Sequence, residues 1–226
     1  MQSSSLLHPH SYHPVFRTRI SASGHENCTL NLYYELPPLI FVDPYELSNR
    51  ADTYSYKYAG SSNLELPVFA LGEDDSRNST LLVTGVETLS REGVLEVEVP
   101  LHTRYAHTST TGTTFQETKL SWPDAFLACS LSGSTSRPRY DSELPKMPTE
   151  FVVAFEAKTI VRLWPLEGVI PVETVSTPIG NTADVSTVEL GTAVVIISAF
   201  LFLVHAVRRT VARIGSTTTP LSAKKQ

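Results

Sequence analysis

Catalytic signatures are missing from this sequence. It holds no GxSxG turn to present a serine, no HExxH helix to bind zinc, no CxxC pair and no glycine-rich phosphate loop, so the common hydrolase, metalloprotease, thiol-redox and nucleotide-binding chemistries lack their usual parts. Basic patches interleaved with aromatics are absent too, and the net charge of -5 argues against a nucleic-acid partner. Cysteine is scarce: Cys28 and Cys129 are the only two, too few for a disulfide-stapled mini-fold. No internal repeat is evident, which excludes a solenoid. Fifteen widely spread prolines exclude long helices outside one segment. Residues 1–24 hold no apolar core of about 7 to 15 residues followed by small ones, so no secretory leader is recognisable there.

Long apolar runs are equally rare, and the single one decides the reading. Leu190 to Val207 gives eighteen residues between Glu189 and the pair Arg208 and Arg209, with His205 as its one titratable group. As a helix it rises roughly 27 Å, enough to cross a thin bilayer such as that of the endoplasmic reticulum. Charge is sorted around it. All 23 acidic residues and 13 of the 18 basic ones precede Leu190, leaving the first part about ten charges negative. The tail, residues 208–226, carries Arg208, Arg209, Arg213, Lys224 and Lys225, and is cytosolic by the Lys/Arg bias of short flanking loops. The bulk of the chain is then lumenal. Two N-glycosylation sequons, at Asn27 and Asn78, agree with that side. A tail-anchored cytosolic adaptor would share the layout, with unglycosylated asparagines and free thiols.

Ahead of the span, strand signals outnumber helix signals. Leu30, Leu32, Tyr34 and Leu36 alternate with polar neighbours; Leu95, Val97, Val99 and Leu101 do so more cleanly. Phe151, Val153 and Phe155 open a third such run towards Trp164, with shorter candidates at Leu64–Ala70 and Leu81–Val86. Ser/Thr/Gly/Pro clusters separate them. The expectation is a mainly β protein: a disordered N-terminus at 1–11, an antiparallel β-sandwich at 12–165, a stalk at 166–189 and the transmembrane helix at 190–207. In a reducing cytosol Cys28 and Cys129 would be unrelated thiols. In an oxidising lumen they are a candidate disulfide tying the first strand to the middle of the domain.

Residues with chemical potential reduce to bland readings. His8, His10 and His13 form an H-x-H-x-x-H cluster in a Ser/Pro-rich start without evident supporting ligands, and Glu73, Asp74 and Asp75 read as an exposed acidic turn. No catalytic, cofactor-binding or metal residue is therefore assigned. Two segments stand out for density of distinctive residues: LPPLIFVDPYEL at 36–47, where Asp43-Pro44 starts a turn, and VPLHTRY at 99–105, a strand that ends in His, Arg and Tyr. The latter could simply place a cation on an aromatic ring.

With Cys28, the segment WPDAFLAC at 122–129 and one C-terminal span, these two segments resemble the PIG-X family, over nearly the whole chain from about Tyr12. The resemblance implies a glycoprotein of the endoplasmic reticulum membrane, a non-catalytic accessory subunit of glycosylphosphatidylinositol (GPI) mannosyltransferase I. Its partner would be the polytopic catalytic subunit, which adds the first mannose to the GPI-anchor precursor in the lumen; the chain would have no cofactor and no small-molecule substrate of its own. A single-pass lumenal chaperone or cargo adaptor is the alternative. Asp43, Pro44, Tyr45, His102, Arg104 and Tyr105 are the expected partner-facing residues of the sandwich. In the span, Gly191, Ser198 and His205 recur every seven residues with Thr192, Ala199 and Ala206 beside them, a stripe on which another helix can pack closely.

Overall fold

Alternation of apolar and polar residues builds two facing sheets. The computed structural model describes residues 1–22, 25, 28–61, 63, 66–72, 77–88, 94–130 and 143–217. In chain order the strands are β1 (Gln2–Leu7), β2 (Val15–Ser21), β3 (Cys28–Leu36), β4 (Ile40–Phe41), β5 (Tyr54–Ala59), β6 (Ser79–Thr88), β7 (Val94–Pro100), β8 (His102–Thr103), β9 (Phe115–Ser121), β10 (Asp124–Ser130), β11 (Lys158–Leu163) and β12 (Val172–Pro178). The helices are α1 (Pro44–Ser48), α2 (Thr149–Val152) and α3 (Val185–Thr217). A five-stranded sheet runs β11-β10-β3-β6-β5 and a three-stranded one β1-β2-β7, with the pairs β12-β9 and β4-β8 beside them. Every strand pairing within these sheets is antiparallel.

The main core lies between the sheets. Leu30, Leu32, Tyr34 and Leu36 of β3 face Phe16 and Ile20 of β2, Val97 and Val99 of β7, Leu120 of β9 and Val175 of β12. Phe16 meets Tyr34 edge-on, with ring centroids 5.8 Å apart. On the outer side of the three-stranded sheet, Arg17 stands directly opposite Glu98 and bonds it at 2.6 Å. That cross-strand pair lies on an exposed surface, where it adds register more than stability.

The second face of β3 is partly buried as well, at Asn31 and Tyr33. Tyr33, Phe126 and Ala128 point away from the main core into a second cluster with Phe151, Phe155 and Ile160. Here the structure differs from the strand expected at Phe151. α2 and a following 3-10 turn (Val153–Phe155) place Phe151 and Phe155 on the sheet while Val153 stays 60% exposed. Spacings of two and four coincide at these positions, and Pro148 with Thr149 and Glu150 starts a helix instead. At Leu64–Ala70 the described part is also not a strand: Pro67 leads into a 3-10 turn, Val68–Ala70.

Two expected boundaries shift. Residues 1–11 are not a loose end, since β1 pairs with β2 from Gln2 opposite Ile20 to Leu7 opposite Val15. The stalk region 166–189 contains β12, paired along its length with β9, with Val175 and Thr177 fully buried. β-branched residues in the run VETVST satisfy a half-buried strand. Beyond Gly180 a separate unit begins. Asn181 caps its first turn by accepting from the Ala183 N–H at 3.0 Å, and α3 follows for 33 residues, roughly 50 Å. By length and composition α3 can cross a membrane, with none of its apolar window buried. The span expected at 190–207 lies inside it.

Candidate partner-docking site

β4 and β8 bring the two distinctive segments together. Ile40 pairs with Thr103 and Phe41 with His102, and the Arg104 N–H donates to the Leu39 carbonyl at 2.8 Å. The chain then turns at Asp43, whose Oδ1 accepts from the Tyr45 N–H at 2.8 Å, capping α1 with Pro44 in its first position. This short helix carries Glu46 back over β8. Its Oε2 meets His102 Nε2 at 2.7 Å. A third piece, which sequence reasoning gave no role in this site, is the Tyr12-His13-Pro14 segment. The Thr103 and Leu101 N–H groups donate to the Tyr12 and Pro14 carbonyls, and His13 packs edge-on against His102 at 4.6 Å.

Phe41 is the hub. Its ring lies 5.3 Å from the His102 ring and 4.4 Å beneath the Arg104 guanidinium. Tyr12 contacts Tyr105 at 5.4 Å and donates its hydroxyl to the Pro178 carbonyl at 2.7 Å. Partial burial, with Tyr105 nearby, raises the Tyr12 hydroxyl above the usual phenol range. Between these side chains is a shallow hollow of about 230 Å³ bordered by Tyr12, His13, Asp43, His102 and Tyr105.

Exposure sorts the expected partner-facing residues. Tyr45 is 79% and Tyr105 66% exposed, so both present aromatic rings to the outside. His102 and Asp43 border the hollow. Arg104 is different: it is 4% exposed, and its Nη1 donates to the Asn63 and Leu66 carbonyls at 2.5 and 3.0 Å. Its guanidinium ties the Asn63 and Leu66 carbonyls to the Phe41 ring. A polar strand end reads the same in sequence whether its side chains turn inward or outward.

Among the described residues, one group of potential ligands converges, His25 with Cys28 and Cys129. The two sulfurs are joined as a disulfide between directly opposed residues of β3 and β10, which removes them as ligands. His8, His10 and His13 do not converge: His10 lies 6.0 Å from Phe115, while His13 is at His102. The acidic run 73–75 and Asn27 lie outside the described residues. Asn78 is exposed at the entrance to β6. Along α3, Gly191, Ser198 and His205 are all exposed.

The PIG-X / PBN1 family model matches residues 9–208, from the Tyr12 segment through the apolar part of α3. The chain belongs to the PIG-X / PBN1 family. Similar curated proteins include protein pbn1 of Schizosaccharomyces pombe, 30% identical over 110 residues, 46% of this chain and 32% of that protein. Protein pbn1 of Aspergillus oryzae is 30% identical over 116 residues, 48% of this chain and 21% of the relative. Protein PBN1 of Gibberella zeae is 25% identical over 213 residues, 88% of this chain and 42% of the relative. The chain thus spans less than half the length of these relatives.

Proposed function

We propose that this chain is a membrane-anchored accessory subunit in GPI-anchor biosynthesis, and that within that pathway it stabilises the polytopic catalytic subunit of GPI mannosyltransferase I in the endoplasmic reticulum. The observation that carries the proposal is the family match across both the β-sandwich and the apolar helix. Lipid-to-lipid sugar transfer takes place in a cavity built from many membrane helices. One candidate span supplies none of that by itself, which suits a helper more than a transferase.

In this reading α3 docks on the catalytic subunit through its Gly191–Ser198–His205 stripe, and the Tyr45 and Tyr105 rings engage its lumenal loops. Aromatic side chains are frequent anchors of protein interfaces. The sandwich is lumenal, with Asn27 and Asn78 as glycosylation sites and the arginine-bearing end in the cytosol. The test is co-purification. Gly191→Leu with Ser198→Leu, or Tyr45→Ala with Tyr105→Ala, should release the catalytic subunit and lower its abundance. Full recovery with both pairs changed would count against the docking role. Glycosidase treatment separates the remaining alternative, since a tail-anchored cytosolic protein shows no mobility shift.

A further inference from the structure

The ladder formed by β12 and β9 ends at β9. One edge of β9 is paired with β12, from Phe115 opposite Pro178 to Ser121 opposite Val172, and among the described residues no strand lies along the other edge. Two flanking bonds fix which residues face which edge. The Trp122 N–H donates to the Pro171 carbonyl and the Ile179 N–H to the Thr114 carbonyl, both at 2.9 Å. Hydrogen-bonded and non-bonded pairs alternate along an antiparallel ladder, so Gln116, Thr118 and Leu120 direct their backbone groups to β12. Phe115, Glu117, Lys119 and Ser121 direct theirs to the open edge, where no backbone partner meets them among the described residues.

The side chains sort by the same alternation. Leu120 is fully buried in the main core, which puts Gln116 and Thr118 on the core-facing side of the strand. Phe115, Glu117, Lys119 and Ser121 stand on the outer side, all four exposed. Glu117 and Lys119 are opposite in sign and two positions apart, and among the described residues neither belongs to an ion pair. An open strand edge is a template for another strand, and charged side chains ordinarily discourage that pairing. Here the order of the charges is self-complementary.

We propose that β9 pairs antiparallel with β9 of a second copy of this chain, about a two-fold axis at Thr118. Only residues whose backbone groups face the open edge can form bonded pairs across it, so the register moves in steps of two residues. With Thr118 opposite itself, Glu117 of each copy lies opposite Lys119 of the other, and Phe115 lies opposite Ser121. One step either way sets Glu117 against Glu117 or Lys119 against Lys119, and like charges directly opposite are destabilising. The contact is isologous, as a two-fold dimer requires. A single strand edge is smaller than a standard interface, so the pairing gains from α3, the candidate span that would confine two chains to one bilayer and raise their effective concentration. An extended segment of a different protein would ask for no such symmetry in β9. The inference rests on β9 and does not depend on the GPI reading.

The test places the full chain carrying Thr118→Cys in phosphatidylcholine vesicles at low density, oxidised mildly with oxidised glutathione. Residues opposed in a non-bonded pair have Cα atoms about 4.5 Å apart, within reach of a disulfide, so a covalent dimer is expected on a non-reducing gel. Thr174→Cys, exposed on β12, reports random collision and should cross-link far less. In the Thr118→Cys background, Glu117→Lys and Lys119→Glu should each lower the dimer yield about three- to tenfold, since each sets like charges opposite twice per dimer. The two reversals together should restore the yield, which separates the register from misfolding. The proposal is overturned if Thr118→Cys cross-links no better than Thr174→Cys, which would leave the edge to a different protein, if neither single reversal lowers the yield, or if the double reversal stays as low as the single ones.

Discussion

Removing the bridge between Cys28 and Cys129 is a perturbation whose size follows from the fold. The bond links opposed residues of β3 and β10 and closes a loop with a sequence separation of 101. In the chain-entropy treatment a loop of that length restricts the unfolded ensemble by about 4.7 kcal/mol. Single domains are stable by about 5 to 15 kcal/mol in total, so the bridge accounts for a third or more. Alanine at both positions removes the link without burying a hydroxyl at Cys28, which is 3% exposed. With a denaturant slope near 2 kcal/mol per molar, the urea midpoint of the full chain in mild detergent should fall by about 2 M. Wild type treated with reductant should follow the double variant. A midpoint unchanged by either treatment would refute the claim that this cross-link shapes the unfolded state.

Arg104→Met should destabilise by about 1.5 to 3 kcal/mol through loss of the charge-assisted bonds to the Asn63 and Leu66 carbonyls; faster amide exchange confined to the neighbourhood of Val68–Leu71 is the check. Gly60→Ala should cost about 1 to 3 kcal/mol, because an added Cβ would come within 2.4 Å of Ser79 Cβ, and thermal unfolding reads it. Asp43→Ala removes the α1 cap and should cost about 1 kcal/mol. Asp43→Asn should recover most of it. Burial pushes the Tyr54 hydroxyl from 10.0 up to about 12. The neutral form is therefore favoured in the fold, so this contribution to stability is complete below pH 10 and is lost as pH rises towards 12. Tyr54→Phe should flatten that alkaline loss, and it removes a buried hydroxyl that has no hydrogen-bond partner.

How much of this was legible in the sequence depends on whether a residue's neighbours are local. β7 alternates cleanly because only one of its faces is buried, and the mainly β class follows from such runs. α3 is legible for the same reason: its composition alone suits a bilayer. β1 and β12 were missed because QSSSLL and VETVST bury few large side chains. Their order comes from partners β2 and β9, which local pattern does not name. At Phe151 the two periods coincide at positions 151 and 155; Pro148 with Thr149 and Glu150 starts the helix, and Phe155 then meets Phe126 at 5.2 Å between ring centroids. Within the site, residue density marked the 36–47 and 99–105 segments. Their joining through Phe41 opposite His102 is a tertiary fact, as is the inward turn of Arg104.

The most direct measurement follows radiolabelled GPI precursors in cells that lack this chain. The account predicts that glucosaminyl-phosphatidylinositol without mannose accumulates, and that re-expression of the full chain restores mannosylated species. Normal mannosylated precursors in the absence of the chain would contradict the central claim.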